Sequence, residues 1–285
     1  MNPRVLPAIA LVLIGGATLN LGLFGAPLHT RSEFFTTWMA LVVQALPFLL
    51  LGTVLSAIVS QIKLDLSRIR WVPLGAAAGF FLPTCECAAV PLTRSLINRG
   101  LKPAVGYAFM LAAPAINPVV LVATAVAFDA RMVAARFIAS FLAAIIIAWL
   151  WHPPIPATKV HHHGSFSATV IHDFVDAASI LVWGAAVAAF VKLFAGVGGD
   201  YSFFLMGALA FVMSMCSEAD AFVAASFHVP PSAQLAFLVV GPMVDLKLMA
   251  LHAAIFGKRF ALRFAPLVFL VTMVMSAVVG ALLLN

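Results

Sequence analysis

Apolar segments follow one another along almost the whole chain, separated by short polar connections. A helix needs about 20 consecutive apolar residues to cross the hydrocarbon core of a bilayer, and most segments reach that length. An α-helix also satisfies its backbone hydrogen bonds within one segment, as a lipid environment requires. The sequence therefore predicts an all-α integral membrane protein, a polytopic helix bundle. Nine segments carry this prediction, at about 5–26, 34–62, 71–99, 103–128, 131–151, 172–196, 201–228, 232–257 and 261–284.

The composition also indicates that the chain is surrounded by lipid rather than by water. Hydrophobic residues make up 64% of the 285 residues and charged residues only 9%, which excludes an ordinary soluble domain. The net charge of +6 reflects Lys and Arg between the apolar segments, where such residues set topology. We therefore expect the lipid bilayer as a partner, no nucleic acid, and a multi-pass location in a bacterial inner membrane. Residues 5–26 lack a clear cleavage site and are interpreted as a retained helix within an N-terminal unit, 1–33.

A polar connection at 152–171 divides the rest of the chain into two halves. It contains three prolines and the run His161-His162-His163, which is typical of an exposed loop. A histidine run can bind a transition metal, but a solvated loop is the favoured interpretation here. The predicted units are thus 34–151, the linker 152–171, and 172–285.

The two halves resemble each other in the order of their polar interruptions. The break Pro83 to Cys87 corresponds to Ser214 to Glu218, and Pro114 to Pro118 corresponds to Pro242 to Asp245. The boundary at 128–131 likewise corresponds to 256–259. These features recur in the same order at nearly the same spacing, which indicates an internal duplication.

Basic residues on both sides of 71–99 indicate how the first half is threaded. Lys and Arg accumulate on the cytoplasmic side of membrane segments, so a segment with basic residues at both ends is expected to enter, break and return. Three crossings plus one such hairpin would insert the second half upside down, the inverted-repeat plan of many secondary transporters. Arg131 and Arg136 oppose this topology, because it places them outside. The flanking basic residues are Lys63, Arg68, Arg70, Arg94, Arg99 and Lys102.

All three cysteines of the chain lie at the predicted breaks. Cys85 and Cys87 can reach one soft acceptor if the backbone between them is extended, and Cys216 can add a third sulfur from the other half. Thiolates prefer trivalent arsenic and soft d-block ions. The cysteines are therefore a candidate metal or substrate site, and the alternative is that they pack a tight turn.

Carboxylates accompany the cysteines at the same breaks. A carboxylate at membrane depth is costly and usually functional, and burial favours its protonated form, so proton coupling is the natural hypothesis. The alternatives are structural: Asp245 can pair with Lys247 or Arg94, and Asp220 can cap the half-helix that follows it. The candidate proton-coupling and substrate-binding carboxylates are Glu86, Glu218, Asp220 and Asp245.

Asn117 lies between two prolines in the second break of the first half. Pro114 and Pro118 remove ladder hydrogen bonds from the span, so Asn117 can offer its amide to the gap. A simple kink is the alternative. The equivalent position of Asp245 in the other half favours a substrate-lining role for both residues.

Three motifs together resemble the predicted permease family that includes ArsP and YraQ. They are FLPTCECAAVPL at 81–92, APAINPVV at 113–120 and CSEADAF at 216–222, and the resemblance covers about residues 34–284. Relatives similar to ArsP export trivalent organoarsenicals, and some members are one subunit of a two-component permease. The resemblance therefore implies that the cysteines are soft-ligand candidates. Glu86 stands where arsenical exporters more often have a small residue, which suits a metal cation or a proton-linked site better.

These observations predict a secondary transporter with its substrate at the midplane between the breaks. The predicted substrate is small and thiol-reactive or a soft metal, and protons are the expected coupling ion. No cofactor, nucleotide-binding loop or enzymatic activity is expected, and a second membrane subunit or a homodimer is compatible with the family. The alternatives are a membrane thiol oxidoreductase using Cys85 and Cys87, a subunit of a two-component permease, and a channel.

Overall fold

The computed structural model describes residues 68–82, 84–151, 203–213, 217 and 219–284, together with isolated positions at 35–36, 38–39, 42–43, 50, 54, 58, 174–175, 178 and 182. Within these ranges the regular structure is helical. In the continuous described ranges, five helices precede the linker: α1 (Val72–Phe81), α2 (Glu86–Asn98), α3 (Pro103–Ile116), α4 (Pro118–Ala127) and α5 (Ala130–Leu150). Five follow it: α6 (Phe203–Met213), α7 (Asp220–Ser226), α8 (Pro231–Met243), α9 (Leu246–Ile255) and α10 (Lys258–Leu283).

Four stretches of the described chain are long and apolar enough to cross a membrane. They are α3 with α4 (Pro103–Ala127), α5, α8 with α9 (Pro231–Ile255), and α10. They agree with four of the nine predicted segments. Two predicted regions lie outside the described residues: the apolar segment 5–26 and the linker 152–171. Two further apolar segments, 34–62 and 172–196, are described only at isolated positions.

The predicted segment 71–99 forms a hairpin of two short helices. At about 1.5 Å per residue, the 10 residues of α1 and the 13 of α2 are each too short to span a core of about 30 Å. A Cβ on Gly75 would meet Val105 and one on Gly79 would meet Ala113, so α1 runs in the same direction as α3. α2 runs back, because its last turns lie against Gly106 near the start of α3. The hairpin therefore begins and ends at the same end of the bundle.

A second short helix in the other half is arranged similarly against its long neighbour. Asp220 at the start of α7 lies beside Gly241 near the end of α8. The Gln234 side chain, near the start of α8, donates hydrogen bonds to the carbonyls of Ala224 (3.2 Å) and Phe227 (3.0 Å) at the end of α7. α7 thus runs antiparallel to α8, as α2 does to α3.

Contacts between the helix ends show in which directions the long helices run. Tyr107 near the start of α3 packs against Phe260 near the start of α10, with ring centroids 5.6 Å apart. Gly280 near the end of α10 contacts Ser232 at the start of α8. α8 therefore starts at the opposite end of the bundle from α3, and the two helices run in opposite directions.

One end of the bundle collects the basic connections and is called the basic end here. The start of α1, the α2–α3 connection and the α9–α10 connection all lie there, with Arg68, Arg70, Arg99, Lys102, Lys258 and Arg259. Arg131 lies in the first turn of α5, at the opposite end. Arg136 does not lie outside, as the topology inferred from sequence placed it: its side chain is fully buried inside the bundle. It therefore makes no contribution to the charge of a loop, and one of the two objections to that topology is removed.

Candidate functional site

The break between α3 and α4 is closed locally by Asn117. Its Oδ1 accepts a hydrogen bond from the N–H of Val120 and its Nδ2 donates to the carbonyl of Ala113, both at 3.0 Å. The first bond caps α4, and the second satisfies a carbonyl at the end of α3. The buried amide therefore holds the two half-helices together across the proline-bounded break.

Asp245 has the same place in the other half. It is the N-cap of α9, where Oδ1 accepts a hydrogen bond from the N–H of Leu248. Its second oxygen, Oδ2, lies 3.9 Å from Nζ of Lys247 and has no hydrogen-bond partner among the described residues. A fully buried carboxylate thus uses one oxygen for the backbone and keeps the other for the interior of the site.

Glu86 connects the first hairpin to the second half. It begins α2, and its side chain is only 1% exposed. Lys247 Nζ lies 2.7 Å from Oε1 and donates a hydrogen bond to it, while Ser217 Oγ lies 3.4 Å from Oε2. Both partners come from the second half: Ser217 belongs to the predicted break at 214–218, and Lys247 lies in the first turn of α9, directly after the break at 242–245.

Arg136 extends the same network from α5. Its Nη1 donates to Oγ1 of Thr124 at 2.8 Å and its Nη2 to the carbonyl of Ser217 at 3.3 Å. Thr124 in turn donates to the carbonyl of Val120, one turn beyond Asn117. Buried side chains from both halves thereby form one polar chain, called the central network here: Thr124, Arg136, Ser217, Glu86, Lys247 and Asp245.

Asp220 lies beside the central network without a hydrogen bond from it. Its side chain is 1% exposed, and a Cβ on Gly241 would lie 2.8 Å from its Oδ2. That oxygen has no hydrogen-bond partner within the described ranges. Arg136, Glu86, Lys247 and Asp245 are all within electrostatic range of it. Asp220 occupies the first residue of α7 rather than its N-cap, which is Ala219.

The cysteine prediction is only partly covered by the described chain. Cys85 is the buried N-cap of α2, with extended backbone and a thiol that is not in a disulfide. The backbone is helical from Glu86 onward, so it is not the extended chain on which the two-thiol arrangement depends. The side chain of Cys87, and all of Cys216 and Glu218, lie outside the described residues.

The described residues do not form a recognisable metal site. No group of three or more His, Cys, Asp or Glu residues in that part of the chain is arranged to hold a metal ion. The site with Cys85, Cys87 and Cys216 therefore stays a prediction.

Four members of the central network were not among the predicted site residues: Arg136, Thr124, Ser217 and Lys247. Arg136 had a recognisable signal, because a charged side chain within an apolar segment is functional by default, and that rule applies to bases as well as to acids. Ser217 lies within the predicted break at 214–218 but was not singled out there, and Thr124 is a small polar residue without a distinguishing pattern. Lys247 was identified from sequence only as a partner for Asp245, whereas its closer contact is Glu86.

The chain matches a family model described as a predicted permease, ArsP_1, over residues 31–162 and 161–281. It is similar to the UPF0718 protein YcgR of Bacillus subtilis, with 33% identity over 87% of this chain and 95% of the relative. It is also similar to a putative two-component membrane permease complex subunit of Streptococcus mutans, with 29% identity over 86% of this chain and 94% of the relative. No solved structure matches.

Proposed function

We propose, because this chain belongs to the ArsP_1 family of predicted permeases, that it is a proton-linked secondary transporter whose substrate binds at the central network. It is a multi-pass membrane protein, and its family favours a transporter over the alternative of a membrane thiol oxidoreductase. The proposal concerns the position of the substrate, the role of protons and the class of substrate.

The contact between Glu86 and Lys247 carries this proposal. The two side chains are 2.7 Å apart and at most 3% exposed, and they tie the hairpin of the first half to α9 of the second. Separating a buried ion pair without replacing a partner is strongly unfavourable. A proton on Glu86, or a substrate group in place of one partner, therefore lowers the cost of separating α2 from α9, as coupled transport requires.

The charge balance of the site favours uptake of a proton or a cation. The buried charged groups in and beside the central network comprise three carboxylates (Glu86, Asp220, Asp245) and two cations (Arg136, Lys247). With all five ionised, three minus two leaves one net negative charge among the described groups. Asp220 and Asp245 each have a buried oxygen without a hydrogen-bond partner there, so these two carboxylates are proposed as proton carriers together with Glu86.

Packing between the halves is consistent with an inverted repeat, which forms part of the proposal. α2 of the first half packs on α9 of the second, and α7 of the second half packs on α4 of the first. Such reciprocal contacts are expected when two copies are related by a pseudo-twofold axis. Asn117 and Asp245 then cap equivalent half-helices on either side of that axis.

The proposed substrate is a small thiol-reactive species or a soft metal ion. Cys85 is buried at the tip of the first hairpin, one residue from Glu86, where a thiol could bind a soft centre beside the central network. Cys87 and Cys216 are the further proposed ligands. Thermal stabilisation in detergent by a trivalent arsenical, Zn²⁺ or Cu⁺ would identify the ligand, because only a ligand that favours the folded state raises stability.

Transport in proteoliposomes tests the proposal. A pH-sensitive dye inside the vesicles reports proton movement when the stabilising ligand is added outside. We expect ligand-dependent proton flux with the native chain, and loss of that flux with Asp220→Asn or Asp245→Asn. Asp129→Asn is the matched control, because Asp129 is an exposed helix cap on α5. Ligand flux without proton movement would contradict proton coupling and leave a channel.

A subunit of a two-component permease is the second candidate function. The observation that favours it is the name of the Streptococcus mutans relative, a complex subunit. In that case the purified chain alone would bind the ligand but would not transport it, and a second membrane protein would co-purify with the tagged chain from its native membrane.

A further inference from the structure

A cluster of rings fills the bundle at its basic end. Phe264 is central: its ring centroid lies 6.0 Å from that of Tyr107, 5.2 Å from Trp151 and 5.5 Å from His252. Phe260 contacts the same three rings at 5.4 to 6.1 Å. The side chains come from α3, the end of α5, α9 and α10, so four elements meet here. We call this set the ring cluster: Tyr107, Trp151, His252, Phe256, Phe260 and Phe264.

Polar residues connect the ring cluster to the central network along two packed helices. On α9, His252 lies seven residues after Asp245, which places it on the same face about 10 Å nearer the basic end. On α2, Thr93 lies seven residues after Glu86 and is also fully buried. α2 and α9 pack against each other. A seam of buried polar groups thus leads from Glu86 and Asp245 to the rings.

The ring cluster contains polar atoms that make no hydrogen bond among the described residues. They are Oη of Tyr107, Nε1 of Trp151 and Nδ1 of His252, and Oγ1 of Thr93 in the seam behaves likewise. Buried polar groups almost always have a partner, so four exceptions along one seam call for a physical reason. Groups that exchange partners between two arrangements of the same helices provide one.

Arg94 lies at the edge of the cluster next to the seam. Its guanidinium carbon is 5.7 Å from the centroid of Phe256, whose ring lies 4.8 Å from that of Phe260. A cation over an aromatic face is attracted to it, so Arg94 fastens α2 to the same rings. The cluster therefore joins α2, α9 and α10 at the point where the seam reaches the basic end.

We propose that the ring cluster is the gate that closes the substrate pathway at its basic end, with the pathway following the seam between α2, α3 and α9. The proposal rests on the transporter function above, and it adds the route and the residues that block it. Opening separates the rings, and Tyr107, Trp151 and His252 then find partners in the hydrated pathway. The basic connections place this gate on the cytoplasmic side.

Accessibility of a thiol behind the gate tests this without a known substrate. Thr93→Cys is introduced in the full chain with Cys85, Cys87 and Cys216 replaced by serine, and labelling by a charged methanethiosulfonate reagent is timed in membrane vesicles. We expect slow labelling with the native rings. Phe264→Ala should raise the rate at least tenfold, from the cytoplasmic face only. Phe237→Ala is the matched control, because Phe237 is equally buried but belongs to α8.

The outcomes separate a gate from general loosening of the bundle. An equal increase with Phe237→Ala, labelling from the opposite face, or no change with Phe264→Ala would each overturn the proposal.

Tyr107→Phe removes a single buried hydroxyl, so it serves if Phe264→Ala does not fold. Because it removes a group that is unpaired only in the closed state, it should raise the melting temperature and slow labelling at least twofold. A raised melting temperature with unchanged labelling would indicate a structural role alone. None of these results depends on proton-linked transport, so the gate and the proposed function can fail separately.

Discussion

Nζ of Lys247 donates a 2.7 Å hydrogen bond to Oε1 of Glu86, although the two residues are 161 positions apart in the chain. Lys247 lies in the first turn of α9, and Glu86 begins α2. Each residue follows a helix break, and both are buried, so the pair joins the two halves at the point where their backbones are interrupted. The contact is specific to this arrangement of the halves.

Removing one partner of this pair should cost more stability than removing both. Glu86→Gln removes the carboxylate whose oxygen lies 2.7 Å from the buried Lys247 ammonium, and Lys247→Met removes that ammonium from beside the buried Glu86 carboxylate. We expect each to destabilise by about 3–5 kcal/mol, and the double variant to recover most of that loss. Thermal unfolding in detergent, followed by tryptophan fluorescence, measures all three.

Lys258→Met is the control for the general effect of deleting a lysine. Lys258 is exposed at the start of α10, so its removal should change stability by less than about 1 kcal/mol. Additive losses in the Glu86 and Lys247 double variant would show that the pair contributes no coupling energy and would contradict its proposed role.

The positions of the breaks could be predicted from sequence, but their partners could not. Prolines and acidic residues inside apolar runs mark where a helix is interrupted, and Asn117 and Asp245 do cap the half-helices at such points. Which distant side chain meets each break depends on the rotation of uniformly apolar helices. The charge of Arg136 within the apolar run of α5 indicates a side chain that faces the protein interior, but nothing in that run predicts its partners Thr124 and Ser217.

Glycines at the α1–α3 contact give a second prediction. A Cβ on Gly75 would collide with the backbone carbonyl of Val105, and one on Gly207 would collide with the Met273 side chain. A backbone carbonyl cannot move independently of its helix, whereas a methionine side chain adapts. Gly75→Ala should therefore destabilise by about 1–3 kcal/mol and Gly207→Ala by well under that. Equal melting temperatures of the two variants would contradict the close packing of the first hairpin.

Lysine should replace Arg136 only in part. Its two terminal nitrogens donate to different groups, Thr124 Oγ1 and the carbonyl of Ser217, and a lysine ammonium cannot reproduce that planar fork. We expect Arg136→Met to destabilise by about 3–5 kcal/mol because it removes a cation from among buried carboxylates. Arg136→Lys keeps the positive charge, so its loss of stability should be about half of the loss expected for Arg136→Met.

Thr124, which accepts a hydrogen bond from Arg136, provides the control variant for the Arg136 substitutions. Thr124→Val preserves shape and removes one hydroxyl, so we expect a loss of about 1–2 kcal/mol. If Arg136→Lys were as stable as the native chain in chemical unfolding, the hydrogen bonds from the guanidinium to Thr124 and Ser217 would contribute nothing to stability, and the network would end at Ser217.

A substitution at Asp245 can separate its structural role from its proposed role in transport, because its two oxygens have different surroundings. Oδ1 caps α9 through the N–H of Leu248, and an amide oxygen can accept the same bond. Asp245→Asn should therefore fold with a stability within about 1 kcal/mol of the native chain, while losing ligand-dependent proton flux because the charge beside Lys247 is gone. Asn117→Ala is the converse variant: it removes the cap of α4 and no charge, so it should cost about 1 kcal/mol and retain proton coupling. Proteoliposome flux and thermal unfolding measured on the same two preparations decide the matter, since intact proton flux in Asp245→Asn would exclude this carboxylate as a proton carrier.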